Sequence, residues 1–221
     1  MSRAYCIPGV FFLFCAFVLL FLVSISLPYF QAMDITRVHA TGQFSSGSQA
    51  ITELRLGIWG YCIDENSGRT CYNTGHGYSL TLQNSQGGQV TIGSSWTRGL
   101  AVHPVATALA FIALVMSFSQ HITVTLVSSL VSFLAALLTV IAFAIDIALY
   151  AYVKNEMGNL TSNESTITGP GFWLTFVSLI LLLLAGCTVC FGRRRDRMAG
   201  ATNSYQLSSP KTGFFSRFRR N

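Results

Sequence analysis

The sequence has few charged side chains: 10% of its 221 residues are Asp, Glu, Lys or Arg, whereas 51% are hydrophobic. Soluble domains carry about a quarter charged residues, so this shortage excludes an ordinary soluble domain and favours a chain that lies in a lipid bilayer. The sequence also lacks a zinc-binding HExxH motif, a glycine-rich phosphate loop and a nucleophile–base arrangement. It therefore points to no enzyme and implies no cofactor.

The sequence contains four long apolar runs. They cover residues 7–27, 100–118, 122–153 and 171–191. Each provides roughly the 20 residues needed to cross about 30 Å of hydrocarbon, so we predict four transmembrane helices. The third run exceeds one crossing, and its outer end should protrude. The first run could instead be a signal peptide, but its apolar core exceeds the usual length of about 7 to 15 residues, which favours a retained span.

The distribution of basic residues predicts the orientation of these spans. Residues 192–221 hold eight of the fourteen Lys and Arg side chains, and such an excess marks the cytosolic side. Four crossings then also place residues 1–6 in the cytosol, with the turn 119–121, and expose residues 28–99 and 154–170 to the exterior. Asn159 and Asn163 begin the glycosylation sequons of the chain, and both fall in the second outer segment, which agrees with this topology.

The cysteines divide by location. Cys62 and Cys71 lie in the first outer segment, where the oxidising environment predicts a disulfide. A metal site would need further ligands, and His39 and His76 in the same segment lack zinc-like spacing. At the inner end of the fourth span, two further cysteines are either buried small hydrophobic residues or sites of S-acylation, namely Cys187 and Cys190.

The outer segment around the disulfide has β-strand character. Residues 51–61 are rich in β-formers, and 78–83 and 89–92 alternate around a hairpin turn, whereas 31–49 is expected to be a loop. The predicted fold is thus an all-α membrane protein, a four-helix transmembrane bundle that carries a small disulfide-stapled extracellular β-sheet. Trp59 should be the core anchor of that sheet or an interfacial aromatic residue.

Several short motifs carry a resemblance to known proteins. Gly57-Ile-Trp59-Gly-Tyr-Cys62, followed by eight residues and Cys71, resembles the first outer loop of the claudin superfamily. Three further motifs extend the likeness to the fungal PalI family of pH-response and cortical-patch proteins, over about residues 5–195: Gly77-Tyr78, Val102-His103-Pro104-Val-Ala106 and Ala142-Phe-Ala-Ile-Asp146.

The resemblance implies a non-enzymatic, multi-pass plasma-membrane protein with both termini in the cytosol. PalI-type members are regarded as assistants of a separate seven-span sensor of alkaline pH, and their relatives organise cortical, eisosome-type membrane domains that affect wall and stress responses. The expected partner is therefore another membrane protein, such a sensor or a cortical scaffold, and a homo-oligomer is compatible with the sequence. Only about 30 residues follow the last span here, so a scaffold role is favoured over signalling through a long tail. A transporter or channel is disfavoured because the spans contain one peripheral acid.

That acid, Asp146, suggests a specific contact. At about 1.5 Å per residue it lies roughly 36 Å from the start of the third run, which is near the outer interface. His103 lies near the same end of the second span, before Pro104, which suits a first helical turn. We expect Asp146 to contact His103 or a backbone donor of the outer sheet and so to dock the sheet on the bundle. A sharper alternative is a proton switch, because histidine titrates near pH 6.5.

The basic tail interleaves cations with aromatic residues. Such a segment can lie on an anionic inner leaflet, with a gain of about 1 kcal/mol per basic residue near the surface; a passive solvated tail is the alternative. Nucleic acid would suit the charge, but lipid is the nearer anion, so no nucleic-acid partner is expected. The predicted lipid-contacting residues are Arg193, Arg194, Arg195, Arg197, Lys211, Arg217, Arg219 and Arg220.

Overall fold

The computed structural model describes most of the chain, namely residues 6–27, 29–46, 49–84, 86–119, 122–160 and 165–206. Side chains are described throughout these ranges except at 6–7, 40–50, 122, 125 and 189–206. The chain forms a helical bundle with an antiparallel sheet at one end.

The described residues form five α-helices: α1 (Cys6–Ser24), α2 (Ser94–Arg98), α3 (Val102–Ser117), α4 (Ile122–Leu160) and α5 (Pro170–Gln206). All but the short α2 follow the apolar runs. A 3-10 turn, Gly99–Ala101, joins α2 to α3. Three helical segments are long and apolar enough to cross a membrane: Ser94–Ser117, Leu126–Leu160 and Pro170–Thr188. The 19 residues of α1 rise about 28 Å, close to the roughly 30 Å of a hydrocarbon core. The predicted four-helix transmembrane bundle is confirmed, although α4 and α5 continue past the predicted ends of their spans.

Small residues line the centre of the bundle. The buried cluster there combines Leu13, Leu20, Leu114 and Leu182 with the alanines Ala16, Ala110, Ala113, Ala135, Ala136 and Ala185. Lipid tails are as apolar as leucine, so membrane helices gain little from hydrophobicity alone and associate through close packing, which small side chains permit. Buried hydroxyls bond to backbone carbonyls, as when Ser128 Oγ of α4 donates to Ala113 O of α3 at 2.9 Å.

In the part of the chain that the structure describes, seven strands form one sheet: β1 (Thr36–Ser46), β2 (Gln49–Leu56), β3 (Gly60–Glu65), β4 (Gly68–Asn73), β5 (Leu80–Asn84), β6 (Gln89–Ile92) and β7 (Ser165–Thr168). Their order is β4-β3-β2-β1-β5-β6, and β7 also pairs with β1. Because β7 comes directly before α5, this pairing places both predicted outer segments at the same end of the bundle.

The first outer segment differs from expectation in two places. The expected loop at 31–49 is wrong, since β1 occupies most of it and is the strand to which β2, β5 and β7 all pair. The strand-like run 51–61 is also not one strand, because β2 ends at Leu56 and the chain turns before β3 begins at Gly60. The alternating segments at 78–83 and 89–92 correspond to the β5–β6 hairpin.

The inner face of the sheet packs on the outer turns of α4. Its buried side chains are mainly branched, including Ile35, Val38, Leu54, Leu56, Ile58 and Ile63, and they share one cluster with Leu149, Val153 and Met157 of α4. Burial of this kind contributes about 1.5 to 3 kcal/mol for each large aliphatic side chain. The sheet is therefore packed directly against the bundle.

Candidate functional site: the junction between sheet and bundle

The motif around Trp59 binds the end of α1. The indole Nε1 of Trp59 donates a hydrogen bond to Ser24 O at 2.7 Å, and its backbone N–H donates to Leu27 O at 3.3 Å. The backbone N–H of Ile58 donates to Ser26 Oγ at 2.9 Å. The last carbonyls of a helix have no partner within the helix, so the turn between β2 and β3 caps α1. The contacts of residues 57–59 with residues 24–27 are called the junction below.

Gly57 allows the close approach at the junction. A Cβ atom at Gly57 would lie 2.5 Å from the Cβ of Leu27, so no larger residue fits without a backbone shift. The carbonyl of Gly57 accepts a hydrogen bond from the Tyr78 hydroxyl at 2.9 Å. Burial raises the pKa of Tyr78, so this hydroxyl keeps its proton and remains a donor. Gly57 and Tyr78 belong to two different sequence motifs of the family resemblance, and the structure brings them into direct contact.

Gly77 and Tyr78 also connect the sheet to the segment before α3. Gly77 has a φ of 74°, which favours glycine, and the stem of Arg98 packs over it. The carbonyl of Tyr78 accepts a hydrogen bond from Thr97 Oγ1 at 2.7 Å. The Gly-Tyr pair therefore fixes α2, which leads into α3.

The predicted disulfide is present between Cys62 and Cys71. The two residues lie directly opposite each other on β3 and β4. Beside them the Tyr61 and Tyr72 rings stack with their centroids 5.1 Å apart. The hairpin of β3 and β4 begins at the junction, because β3 starts directly after Trp59.

Inside the bundle, His103 and Asp146 are in contact. His103 Nε2 lies 3.2 Å from Asp146 Oδ2, and both side chains are fully buried. Thr175 Oγ1 of α5 lies 3.5 Å from the same ring nitrogen. The contact expected from the sequence is thus made, but it joins α3, α4 and α5; among the described residues neither side chain has a hydrogen bond or ion pair with a strand. Pro104 lies in the first turn of α3.

The geometry of this pair defines its protons. His103 Nδ1 lies 3.0 Å from Leu100 O, which can only accept, so Nδ1 carries a proton. A hydrogen bond between Nε2 and Asp146 Oδ2 then needs one more proton on one of those two atoms. The other carboxylate oxygen, Oδ1, has no hydrogen-bond partner among the described residues. A fully buried carboxylate oxygen without a donor is costly, so the pair is a structural weak point as well as a link.

A second joint, around Asp34, was not expected from the sequence. The backbone N–H groups of Gly169 and Gly171, at the start of α5, donate to Ile35 O and Asp34 O, each at 2.9 Å. The buried Asp34 carboxylate accepts two hydrogen bonds from Arg37, at 2.8 and 2.9 Å. A Cβ at Gly169 would clash with Asp34 O. The Gly-Pro-Gly run at 169–171 was the only local signal of this joint.

Of the remaining predicted residues, the structure describes the side chains of Asn159 and Cys187. Asn159 is exposed near the end of α4, and Asn163 lies outside the described residues. Cys187 is exposed on α5, whereas the side chain of Cys190 is outside the described set. The cations at 193, 194, 195 and 197 belong to α5 by backbone only, and Lys211, Arg217, Arg219 and Arg220 lie outside the described residues. Within the described residues no group of three or more His, Cys, Asp or Glu side chains could hold a metal ion.

Comparison with known proteins gives two matches. The profile of the SUR7/PalI family matches residues 5–188. A protein of Yarrowia lipolytica (strain CLIB 122 / E 150), named pH-response regulator protein palI/RIM9, is 27% identical over 191 residues. That alignment covers 81% of this chain and 23% of the Yarrowia protein, so the chain spans less than a quarter of the length of this relative.

Proposed function

The chain belongs to the SUR7/PalI family, and from this premise we propose that it is a non-catalytic plasma-membrane protein that supports the response to alkaline ambient pH. In this role it holds another membrane protein in position and transforms no substrate. The name of the Yarrowia relative, a pH-response regulator, supports the physiological assignment. The fold supports the mode of action.

One observation carries the proposal: the sheet is fixed to the bundle at two separate joints. Trp59 caps the end of α1, and Asp34 meets the start of α5 through Gly169 and Gly171. The outer end of α4 packs in the sheet core between them. A sheet fixed to three helices moves with them, so a partner bound outside would be coupled to the spans and to their packing in the bilayer.

The proposed partner is a multi-span membrane protein, in the first instance a seven-span sensor of alkaline pH. The second candidate is a role as organiser of cortical membrane domains, which is the other role implied by the family resemblance of the sequence motifs. Both roles use the same fixed sheet and bundle, and they differ in which protein is held. Assembly of several copies of this chain is compatible with either role.

Affinity purification from membranes at acid and at alkaline pH distinguishes these roles. A seven-span sensor that co-purifies supports the pH-response role, whereas cortical scaffold proteins support the organiser. Trp59→Phe is a matched variant, since it keeps an aromatic ring at the junction but removes the donor to Ser24 O. We expect it to reduce recovery of the partner more than Trp96→Phe does. Recovery of neither class, together with ion or solute flux through reconstituted protein, would contradict the proposal in favour of a channel or transporter.

The inner leaflet is the second proposed contact, through the basic tail. Substitution of Arg217, Arg219 and Arg220 by Gln should weaken binding of a tail peptide to anionic vesicles, since about 1 kcal/mol is lost for each basic residue near the surface. Binding to neutral vesicles serves as the control. Equal binding of the two peptides to anionic vesicles would show that the tail is merely solvated.

A further inference from the structure

All three tryptophans of the chain lie at the outer end of the bundle. Trp59 reaches the last residue of α1, as described above. Trp96 belongs to α2, just before α3, and stacks on Tyr152 of α4 with the ring centroids 4.5 Å apart. Trp173 is in the first turn of α5. Each of the four bundle helices therefore has an aromatic residue at the level of the junction.

Several of these rings are too exposed to be explained by packing within the protein. Trp173 is 57% exposed and Trp96 39%. Tyr29 and Phe30, in the segment that follows α1, are 68% and 48% exposed. Large rings left on a surface in this number mark a contact with something outside the fold.

The charges show where this surface changes character. The described side chains of α1, and those of α5 up to Thr188, include none that is charged. In α3 and in α4 up to Tyr152, the ionisable His103 and Asp146 are fully buried, and the described exposed residues there are predominantly apolar. Exposed cations appear at the outer end of the bundle, where the tryptophans lie. Lys154 is two residues outward of Tyr152, and the stem of Arg98 packs against Gly77 of the outer segment.

We infer that rings at this level form an aromatic belt in the headgroup layer of the outer leaflet, composed of Tyr29, Phe30, Trp96, Tyr152 and Trp173. Trp59 lies at the same level but is half-buried, and its N–H is bonded to Ser24 O. Tryptophan and tyrosine favour this layer because one part of the ring is apolar while the N–H or O–H reaches water and headgroups. The partner of the belt is lipid. The rings are distributed over all four helices and continue the lipid-facing surface, so one docked protein would cover only part of the belt.

The belt fixes the depth of the buried pair. Asp146 is six residues before Tyr152 in α4, which is about 9 Å towards the inner leaflet at 1.5 Å per residue. The His103–Asp146 contact therefore lies in the outer half of the hydrocarbon layer, close to the outer medium. The end of α4, from Val153 to Leu160, projects beyond the hydrocarbon and carries the sheet above the membrane surface.

Tryptophan quenching in liposomes tests the belt with the full-length protein. The protein is reconstituted into phosphatidylcholine that carries bromine either near the headgroup end of the acyl chain or near its terminal methyl group. We expect a larger loss of emission with the shallow bromines. Trp173→Phe should remove part of this difference, since Trp173 is the most exposed of the three tryptophans described.

A matched variant calibrates the depth. Trp173→Phe combined with Leu183→Trp moves the indole ten residues along an exposed face of the same helix, or about 15 Å inward; Leu183 is itself exposed. Its added emission should be quenched more by the deep bromines. The inference is overturned if wild-type emission is quenched equally or more by the deep bromines, or only by a quencher dissolved in water. None of these results depends on a role in pH response.

Discussion

The sheet and the bundle are held together in different ways. The sheet core consists of interlocking branched side chains, and a disulfide and several ion pairs stabilise its outer face. The bundle core is built largely from alanine and leucine, with hydroxyls bonded to carbonyls. This difference follows from the solvent: water drives burial of large apolar groups, whereas in lipid close packing must supply most of the association energy.

Ionic contacts sharpen the contrast. In the sheet the charged side chains form a ladder of alternating sign on the face opposite the core, made of Arg37, Glu53, Arg55, Asp64 and Arg69. In the described part of the bundle the one contact between a basic and an acidic side chain is His103–Asp146, and it is fully buried. The same chemistry is therefore partly solvated in one region and wholly desolvated in the other, and substitutions should differ in cost accordingly.

The largest expected effect comes from breaking the buried pair. His103→Leu leaves the Asp146 carboxylate buried without its partner and should lower the free energy of unfolding by about 3 to 5 kcal/mol. The measurement is thermal or denaturant unfolding in mixed micelles. The double variant His103→Leu/Asp146→Leu is the control, because replacing both partners by apolar residues is often close to neutral. A double variant as unstable as the single one would show that the lost stability does not come from an unpartnered Asp146 carboxylate.

The pair also allows a test of the proton-switch hypothesis. The contact needs one proton between Nε2 and Oδ2, so its loss would place a lone pair against a carboxylate and separate α3 from α4. Asp146→Asn is assayed for surface expression and for growth at alkaline pH. Lost expression supports a purely structural link, and normal expression with a lost alkaline response supports the switch. Wild-type behaviour in both assays rules out either role.

The disulfide should have the next largest effect. Closing a loop of about ten residues contributes roughly 2.5 to 3 kcal/mol on the chain-entropy model, so Cys62→Ser/Cys71→Ser should lower the stability of the sheet by about that amount. Proteolysis of the outer segment measures this loss, and the melting of the bundle serves as an internal control. The sheet core extends to α4, so part of the loss should reach the bundle. We expect the bundle to be affected less than the sheet, because the disulfide lies in the sheet. Equal loss in both would mean that the two regions unfold as one unit.

Trp59→Phe should have a smaller effect at the junction itself. It removes the indole hydrogen bond to Ser24 O, which is half-buried, and loss of such a hydrogen bond costs about 0.5 to 1.5 kcal/mol. Hydrogen exchange in the last turn of α1 should increase locally. Trp96→Phe, which keeps its ring against Tyr152 and removes no described hydrogen bond, provides the comparison. Identical exchange in the two variants would mean that the cap does not hold the helix end.

Features formed by residues close together in the sequence could be predicted, whereas most contacts between distant segments of the chain could not. The hairpin at 80–92 and the cysteine pair are local patterns and were predictable, and the scarcity of charge made Asp146 and His103 stand out. The strand β1 was missed because its sequence is largely polar and one of its partners, β7, follows the third span. The joint at Asp34 was missed for a related reason. It consists mainly of backbone contacts to Gly169 and Gly171, and such contacts leave little mark on the sequence.

The smallest effect is expected in the charge ladder. Arg69 Nη2 donates to Asp64 Oδ2 at 2.8 Å, and this hydrogen bond lowers the pKa of Asp64. A lowered carboxyl pKa adds stability above the ordinary aspartate value of about 3.9, and this stability is lost as the pH falls through the lower folded value. Arg69→Gln should therefore cost less than about 1 kcal/mol at neutral pH, as is typical of exposed pairs, and the difference from wild type should vanish in acid.

A double-mutant cycle with Asp64→Asn isolates the coupling between Arg69 and Asp64. The difference should stay constant from neutral to alkaline pH, since neither partner changes charge there. An alkaline change in the stability of the Asp64→Asn/Arg69→Gln protein would then have to come from another group, and the His103–Asp146 pair is the contact to test next.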